Sequence, residues 1–387
     1  MWNGDVQSTV TPYPAHGTCV DLFDYKLMKI CEPERLWVLN VKTLAKWYKW
    51  ILLAVIFQFC VLLYINNIFL NTNVSVSVTT SETKPKSLSG DFKVPQGVKD
   101  VKVSFNARFG AYVDDDGALH IINIDTKKDE KVAGLKKDKI TFFKWLPDRD
   151  MVIFSSDTKN GKSGVIQMST YEADSETTRD LPEITDITSK SKVMDIDLSP
   201  YTNVVYAKIN TSETRSKIIR FNVMSQYAHV MNLGPDAVIK ECNYVNKLFY
   251  QNPGEAIYVY DGMNRSKTRV DVDAENVRVL DIDSNDTLYI GILDSNGKVT
   301  DIYQQKITDA KLSDNWTKTA LKERVLPENI SISVNGNMYA VNKDENKIVN
   351  LTSGLKASYR GDFIEVLNGA LVSKDGNKVD ITSLKEY

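Results

Sequence analysis

Phe143-Lys144-Trp145-Leu146-Pro147-Asp148-Arg149-Asp150-Met151-Val152-Ile153-Phe154-Ser155-Ser156-Asp157 reads as two strands around a tight turn. Aromatic residues run up to Leu146, Pro147 presets φ for the turn, and Asp148 offers a carboxylate to turn amides. Met151 to Phe154 then resumes an apolar run. One such hairpin is at best marginally stable by itself and needs neighbouring strands. The chain supplies them. β-Branched and aromatic runs divided by Asp, Asn and Gly turns recur with first strands opening near Val101, Ile140, Val193, Val238, Val277, Ile330 and Phe363, a spacing of roughly forty residues, which is the period of a propeller blade.

The order within each unit is similar: a strand, a polar turn, a second strand rich in Tyr, Phe or Val, then a third and often a fourth. In the first unit Val101 to Phe105 leads to Ala111 to Val113, then Asp114-Asp115-Asp116-Gly117, then Leu119 to Ile124. In the fifth, Val277 to Ile282, Leu288 to Leu293 and Val299 to Gln304 are divided by Ser284-Asn285-Asp286 and Asp294-Ser295-Asn296-Gly297. The Asp/Asn-Gly pairs supply the positive φ of tight hairpins. The aromatic-x-Pro-Asp turn ahead of an apolar strand ending in Ser-Asp, over 143–157, resembles the repeat of TolB-type and dipeptidyl-peptidase-type β-propellers. Leu198-Ser199-Pro200 followed by Val204-Val205-Tyr206 is a weaker echo. The resemblance implies an all-β propeller over 98–382, with the aromatic flank packed between blades.

Six or seven four-stranded blades are expected, seven being favoured. The seventh unit (Phe363 to Leu367, Ala370 to Ser373, Val379 to Ile381) has three strands of its own. A ring closes to remove its edges, so a strand from 74–95 is expected to supply the fourth. A pair of β-sandwiches or a solenoid is the alternative.

Ahead of the repeats, no charge occurs from Trp50 through Ser81, and Ile51 to Leu70 is almost continuously apolar. Twenty helical residues rise about 30 Å, the hydrocarbon thickness of a bilayer. Arg35, Lys42, Lys46 and Lys49 crowd the N-terminal side, whereas the first base beyond is Lys84, so the N-terminus is expected to stay inside. Trp37, Trp47, Tyr48, Trp50 and Tyr64 suit interfacial positions. The expected organisation is a cytoplasmic segment over 1–46, a transmembrane helix over 47–70, a linker with a possible ring-closing strand over 71–96, and an extracytoplasmic propeller over 97–387. In the first segment Asp21 and Pro33 are suited to starting short helices.

Cys19, Cys31 and Cys60 precede the propeller region and Cys242 alone lies in it, so no disulfide forms within that domain. Their absence favours the exterior of a bacterium over a eukaryotic secreted domain. Sequons such as Asn73-Val74-Ser75, Asn210-Thr211-Ser212 and Asn315-Trp316-Thr317 point the other way, though an Asn/Ser/Thr-rich chain generates them by chance.

With 48 basic and 50 acidic residues, a formal net charge of −2, the chain has no electrostatic footprint for nucleic acid. No catalytic, cofactor-binding or metal-binding residues emerge. His120 and His229 lie in strand-like runs and read as solvent-facing or hydrogen-bonded strand residues. No Gly-x-Ser-x-Gly elbow occurs, and Gly161-Lys162-Ser163-Gly164 reads as a hairpin turn. Asp281-Ile282-Asp283-Ser284-Asn285-Asp286 places acids at alternate positions, but Asp286 and Ile292 stand where a calcium loop wants Gly and Glu. Asp114-Asp115-Asp116-Gly117 is likewise incomplete, so both read as inter-strand turns.

The reading that results is a single-pass, membrane-anchored, non-enzymatic subunit that binds membrane or envelope proteins. Two alternatives stay open: an extracytoplasmic carboxylate-dependent enzyme such as a glycosidase, and a sensor whose ligand acts on the N-terminal segment. A cluster of exposed acids at one mouth of the propeller would favour the enzyme.

Overall fold

The computed structural model describes residues 41–65, 88–132, 139–222, 226–308 and 315–384. The chain divides into two compact units, 1–84 and 85–387. In the first, a helix spans Val41–Ile65. Its described side chains, 48–64, are exposed, among them Trp50, Ile51, Leu53, Phe57 and Phe59. They cover about 25 Å at 1.5 Å per residue, and among the described residues no helix is long and apolar enough to cross a membrane. The far end of the span expected over 47–70 lies outside the described residues. So do most of the 1–46 segment and the Val74/Val76/Val78 alternation.

The second unit is a ring of seven antiparallel sheets. Blade 1 comprises Val101–Val103, Phe109–Val113, Leu119–Asn123 and Asp129–Lys131; blade 2 Ile140–Trp145, Met151–Asn160 and Ser163–Glu172 with Thr177–Asp180 and Ile184–Thr188 both along the last of these. Blade 3 is Lys192–Ser199, Val204–Ser212, Arg215–Phe221 and Tyr227–Leu233; blade 4 Val238–Glu241, Lys247–Gln251, Tyr258–Asp261 and Ser266–Arg269. Blade 5 is Val277–Ile282, Thr287–Leu293, Val299–Lys306 and Thr317–Val325; blade 6 Ile330–Ile332, Met338–Asn342, Lys347–Asn350 and Lys356–Ser358. Each first strand touches the first strand of the next blade, and that of blade 7, Asp362–Leu367, returns to blade 1.

The expected openings fall within one residue of the observed first strands, and the closure is as anticipated. Blade 7 continues with Ala370–Asp375 and Lys378–Ser383, and its outer strand is Gly90–Lys93, from the N-terminal side, paired Asp91↔Asp380 and Phe92↔Val379. Phe92 is buried between blades 7 and 1, its ring so close over Gly110 that a Cβ there would come within 2.5 Å. Glycine is needed at 110 for that approach.

Packing follows from alternation. Inward residues of adjacent sheets form one apolar cluster per seam. Trp145 joins Phe109, Phe143, Phe154 and Tyr171 between blades 1 and 2, its ring 6.3 Å from that of Phe109 and its indole N–H donating to the Lys102 carbonyl at 3.3 Å. Burying such a side chain contributes about 1.5–3 kcal/mol. The turn ahead of Met151 departs from its expected chemistry. Asp148 engages Arg149 at 2.6 Å rather than turn amides, and it is the buried Asp150 that reaches across to Asn106 (2.9 Å) and Arg108 (2.8 Å) of blade 1. A carboxylate in this turn thus ties blades rather than the turn itself.

Candidate functional site

The seven first strands surround a central channel. A strand in this position is apolar where it meets a neighbouring blade and polar where it faces the lumen, so one or two charged residues inside an otherwise apolar first strand mark the channel wall. Blades 1 to 5 and 7 each contribute: Lys102, Lys144, Asp195 and Asp197, Lys240, Asp281, and Glu365. Blade 6 offers Ile330-Ser331-Ile332 instead.

Two cavities meet at Asp195 and Lys240. The upper, about 650 Å³, opens among the links that enter blades 4, 5 and 6 and the turns at Pro253-Gly254 and Gly297. Lys208 and Arg278 line it with Asp236, Glu255, Glu275 and Glu328. Lys208 is buried, donating to the carbonyls of Pro235 (3.0 Å) and Ala237 (2.6 Å), and burial pulls its ammonium below the ordinary lysine range. The lower cavity, about 440 Å³, opens among the first turns of the blades, at Phe105, Pro147, Asn243, Ser284 and Val334.

Charges on the wall neutralise one another. Lys144 reaches Asp197 at 3.4 Å and Asp195 at 3.8 Å, and donates to the Ile196 carbonyl at 2.6 Å. Lys240 pairs with Asp281 at 2.7 Å. Lys144 keeps 36% of its side-chain surface accessible and Lys240 24%. Burial alone would lower both ammonium groups. The carboxylates outweigh it, Asp197 and Asp195 at Lys144 and Asp281 and Asp197 at Lys240, and hold both above the ordinary range. Glu365 accepts the Val103 amide at 2.9 Å; burial pushes its carboxyl up against the pull of Lys102 and that amide.

One wall residue is not neutralised. Glu241, last in the first strand of blade 4, is 4% exposed, lines the lower cavity, and has neither side-chain oxygen hydrogen bonded. Its backbone amide donates to Asp197 at 2.6 Å. Burial first, and Asp197 second, push its carboxyl well above the usual range.

The first-turn face also carries an aromatic pair. Tyr201 of blade 3 and Tyr244 of blade 4 stack with centroids 4.2 Å apart and their hydroxyls bonded at 3.2 Å, yet remain 62% and 51% exposed. Their loops are fixed from below. Ser199 Oγ bonds the Asn243 carbonyl, and the buried Asp286 of blade 5 accepts the amides of Asn243 and Tyr244.

His120 sits in its strand, stacked on Tyr112, its ring nitrogens 3.0 Å from Asp129 and 3.1 Å from Asp114; His229 faces Asn232 at 3.1 Å. The hydrogen-bonded strand roles expected of both are observed. Asp114 accepts the Ala118 amide in its hairpin, and Asp283 accepts those of Asn285 and Thr287 in the turn that follows the strand ending at Ile282. Among the described residues no group of three or more His, Cys, Asp or Glu is arranged to hold a metal. Ser163 and Gly164 lie in the strand after the Gly161 hairpin turn. The channel charges went unrecognised in the sequence, although a charged residue within the first strand of six of the seven repeats was the available signal. Glu241, the residue after Lys240, was not set apart by it.

A closed ring of seven antiparallel sheets, six of four strands and blade 2 of five, around a lumen is a β-propeller. No family model matches the chain, and no curated protein matches it by sequence. Among solved structures, the chain is similar to a prolyl endopeptidase (12% identity, TM-score 0.46, covering 73% of this chain and 46% of that one). It is also similar to the Cps50 (Swd1) β-propeller domain of Myceliophteria thermophila (11%, TM-score 0.49, 75% and 100%), and to TolB from Acinetobacter baumannii (14%, TM-score 0.38, 76% and 64%). The chain thus spans about half the length of the endopeptidase. These likenesses concern the fold and not what the chain binds.

Proposed function

We propose that this propeller is a non-enzymatic, protein-binding subunit held at a membrane by its N-terminal helix and assembled with other membrane or envelope proteins. The Tyr201–Tyr244 pair carries this reading: two stacked, exposed aromatics on loops locked by buried hydrogen bonds present apolar area without an ordering cost. Anchoring draws support from the uncharged run from Trp50 through Ser81 and from the exposed apolar side chains of the helix. The positive flank favours an inside N-terminus and a propeller outside.

Photocrosslinking from position 201 in intact cells tests the binding role. A discrete membrane protein captured there, lost when Tyr244→Ala is added and not captured from position 263 on blade 4, is the expected result; equal labelling from both positions contradicts it. Protease shaving that removes the N-terminus of whole cells while sparing the propeller would invert the topology.

A second reading, carboxylate-dependent catalysis, draws support from Asp236, Glu255, Glu275 and Glu328 around the upper cavity. Hydrolysis of a glycan panel, abolished by Asp195→Asn, would favour it over the first.

A further inference from the structure

The lower cavity holds more acid than base. Lys102, Lys144 and Lys240 face Asp195, Asp197, Glu241, Asp281, Asp283 and Glu365. Most of these acids are engaged: Asp195 and Asp197 by Lys144, Asp281 by Lys240, Asp283 by turn amides and the Tyr289 hydroxyl, Glu365 by the Val103 amide with Lys102 nearby. Glu241 is the exception, with both oxygens buried and without a hydrogen-bond partner. Arg220, the nearest cation behind it, does not close the gap. It interacts with Tyr206, and its own Nε is buried without a partner. Tyr206 is taken up with Asn246, and Asp286 with the amides of blade 4.

A buried carboxyl left with no partner costs about 1–3 kcal/mol, and more when charged, so a group that satisfies it is favoured strongly. The cavity dictates what kind of group that is. Excess acid selects against an anion, and the carboxylates are not drawn together as metal ligands. The cavity wall is also in part apolar: Phe105, Phe142, Ile282, Ile332 and Val334 line it. At about 440 Å³ the space is of small-molecule size.

We propose that the lower half of the channel binds a small organic ammonium, a primary alkylamine or short diamine, with its head group between Glu241 and Asp197 and its carbon chain along the apolar wall. An ammonium supplies three donors, two for the orphaned oxygens and one to share Asp197 with Lys144 and the Glu241 amide. Binding ionises Glu241, so a proton leaves the site as the amine enters.

Calorimetric titration of the full chain with putrescine and with n-butylamine, at constant ionic strength in two buffers of different ionisation heat, tests this. Saturable binding with release of a proton is expected. The isosteric Glu241→Gln should weaken binding roughly tenfold or more, the size of one lost charge-assisted hydrogen bond, and abolish the proton release while leaving the circular dichroism unchanged. Amines that do no more than equivalent sodium chloride, or a Glu241→Gln variant that binds as the wild type does, would overturn it and leave buried water as the partner of Glu241. Should Glu241→Gln misfold, Asp197→Asn should weaken binding with the proton release retained, and unchanged affinity in that variant would overturn the proposal.

Discussion

Two seams of one ring are filled in opposite ways. Between blades 1 and 2, Trp145, Phe109, Phe143, Phe154 and Tyr171 close an apolar interface, capped at its rim by Arg108 and Asn106 on Asp150. Between blades 3 and 4 the apolar Val204, Ile218, Ile239 and Leu248 share the seam with Asp197, Tyr206, Arg220, Glu241 and Asn246. Asp197, Tyr206 and Arg220 lie side by side across three strands of blade 3, since Asp197 pairs with Tyr206 and Tyr206 with Arg220. The ring geometry therefore tolerates a polar seam as long as the others are tightly packed.

The largest effect belongs to the apolar seam. Trp145→Ala should cost about 3–5 kcal/mol, read as a shift in the urea midpoint by circular dichroism; a loss under 1 kcal/mol would mean that the blade 1–2 interface is not closed as described. Asp150→Ala follows, at about 1–3 kcal/mol, because it strands the Asn106 amide and leaves Arg108 with Asp174 alone. A double variant with Arg108→Ala should lose less than the two single losses combined.

The polar seam should respond to pH instead. The Glu241 carboxyl is raised well above its ordinary value near 4.5, so the folded chain holds this proton more tightly than the unfolded one. Its contribution is fully present below pH 4.5 and is lost as pH rises above it, at no more than about 1.4 kcal/mol per pH unit. Glu241→Gln should therefore match the wild type at pH 4.5 and exceed it increasingly toward pH 8. A constant offset across that range would place Glu241 in contact with solvent.

The architecture was legible because its signals are local and repeated. Period-two apolar runs, Asp/Asn-Gly turns and the Pro147 turn each specify a hairpin within a few residues, and forty-residue spacing turns hairpins into blades. Even the closing strand could be anticipated from a three-stranded last unit. The channel was not legible to the same degree, since Lys144 pairs with residues 51 and 53 positions on and Lys240 with one 41 positions on. Such pairs come together only once the ring is closed. Asp148 was read as the turn's anchor in place of Asp150, because the sequence shows two carboxylates two residues apart and only the neighbouring blade chooses between them. Tyr201 and Tyr244 follow ordinary turns in separate repeats, and nothing local reports that they stack.

The closed ring itself is tested most directly by zero-length carbodiimide crosslinking of the wild-type chain. Asp91 lies 3.6 Å from Lys378 and 3.3 Å from Lys127, joining the N-terminal strand to the last strand of blade 7 and to blade 1. Peptides linking Asp91 to Lys378 and to Lys127 are predicted, at yields comparable to the local Glu345–Lys347 link. Recovery of the Glu345–Lys347 link with neither Asp91 link would contradict closure by Gly90–Lys93.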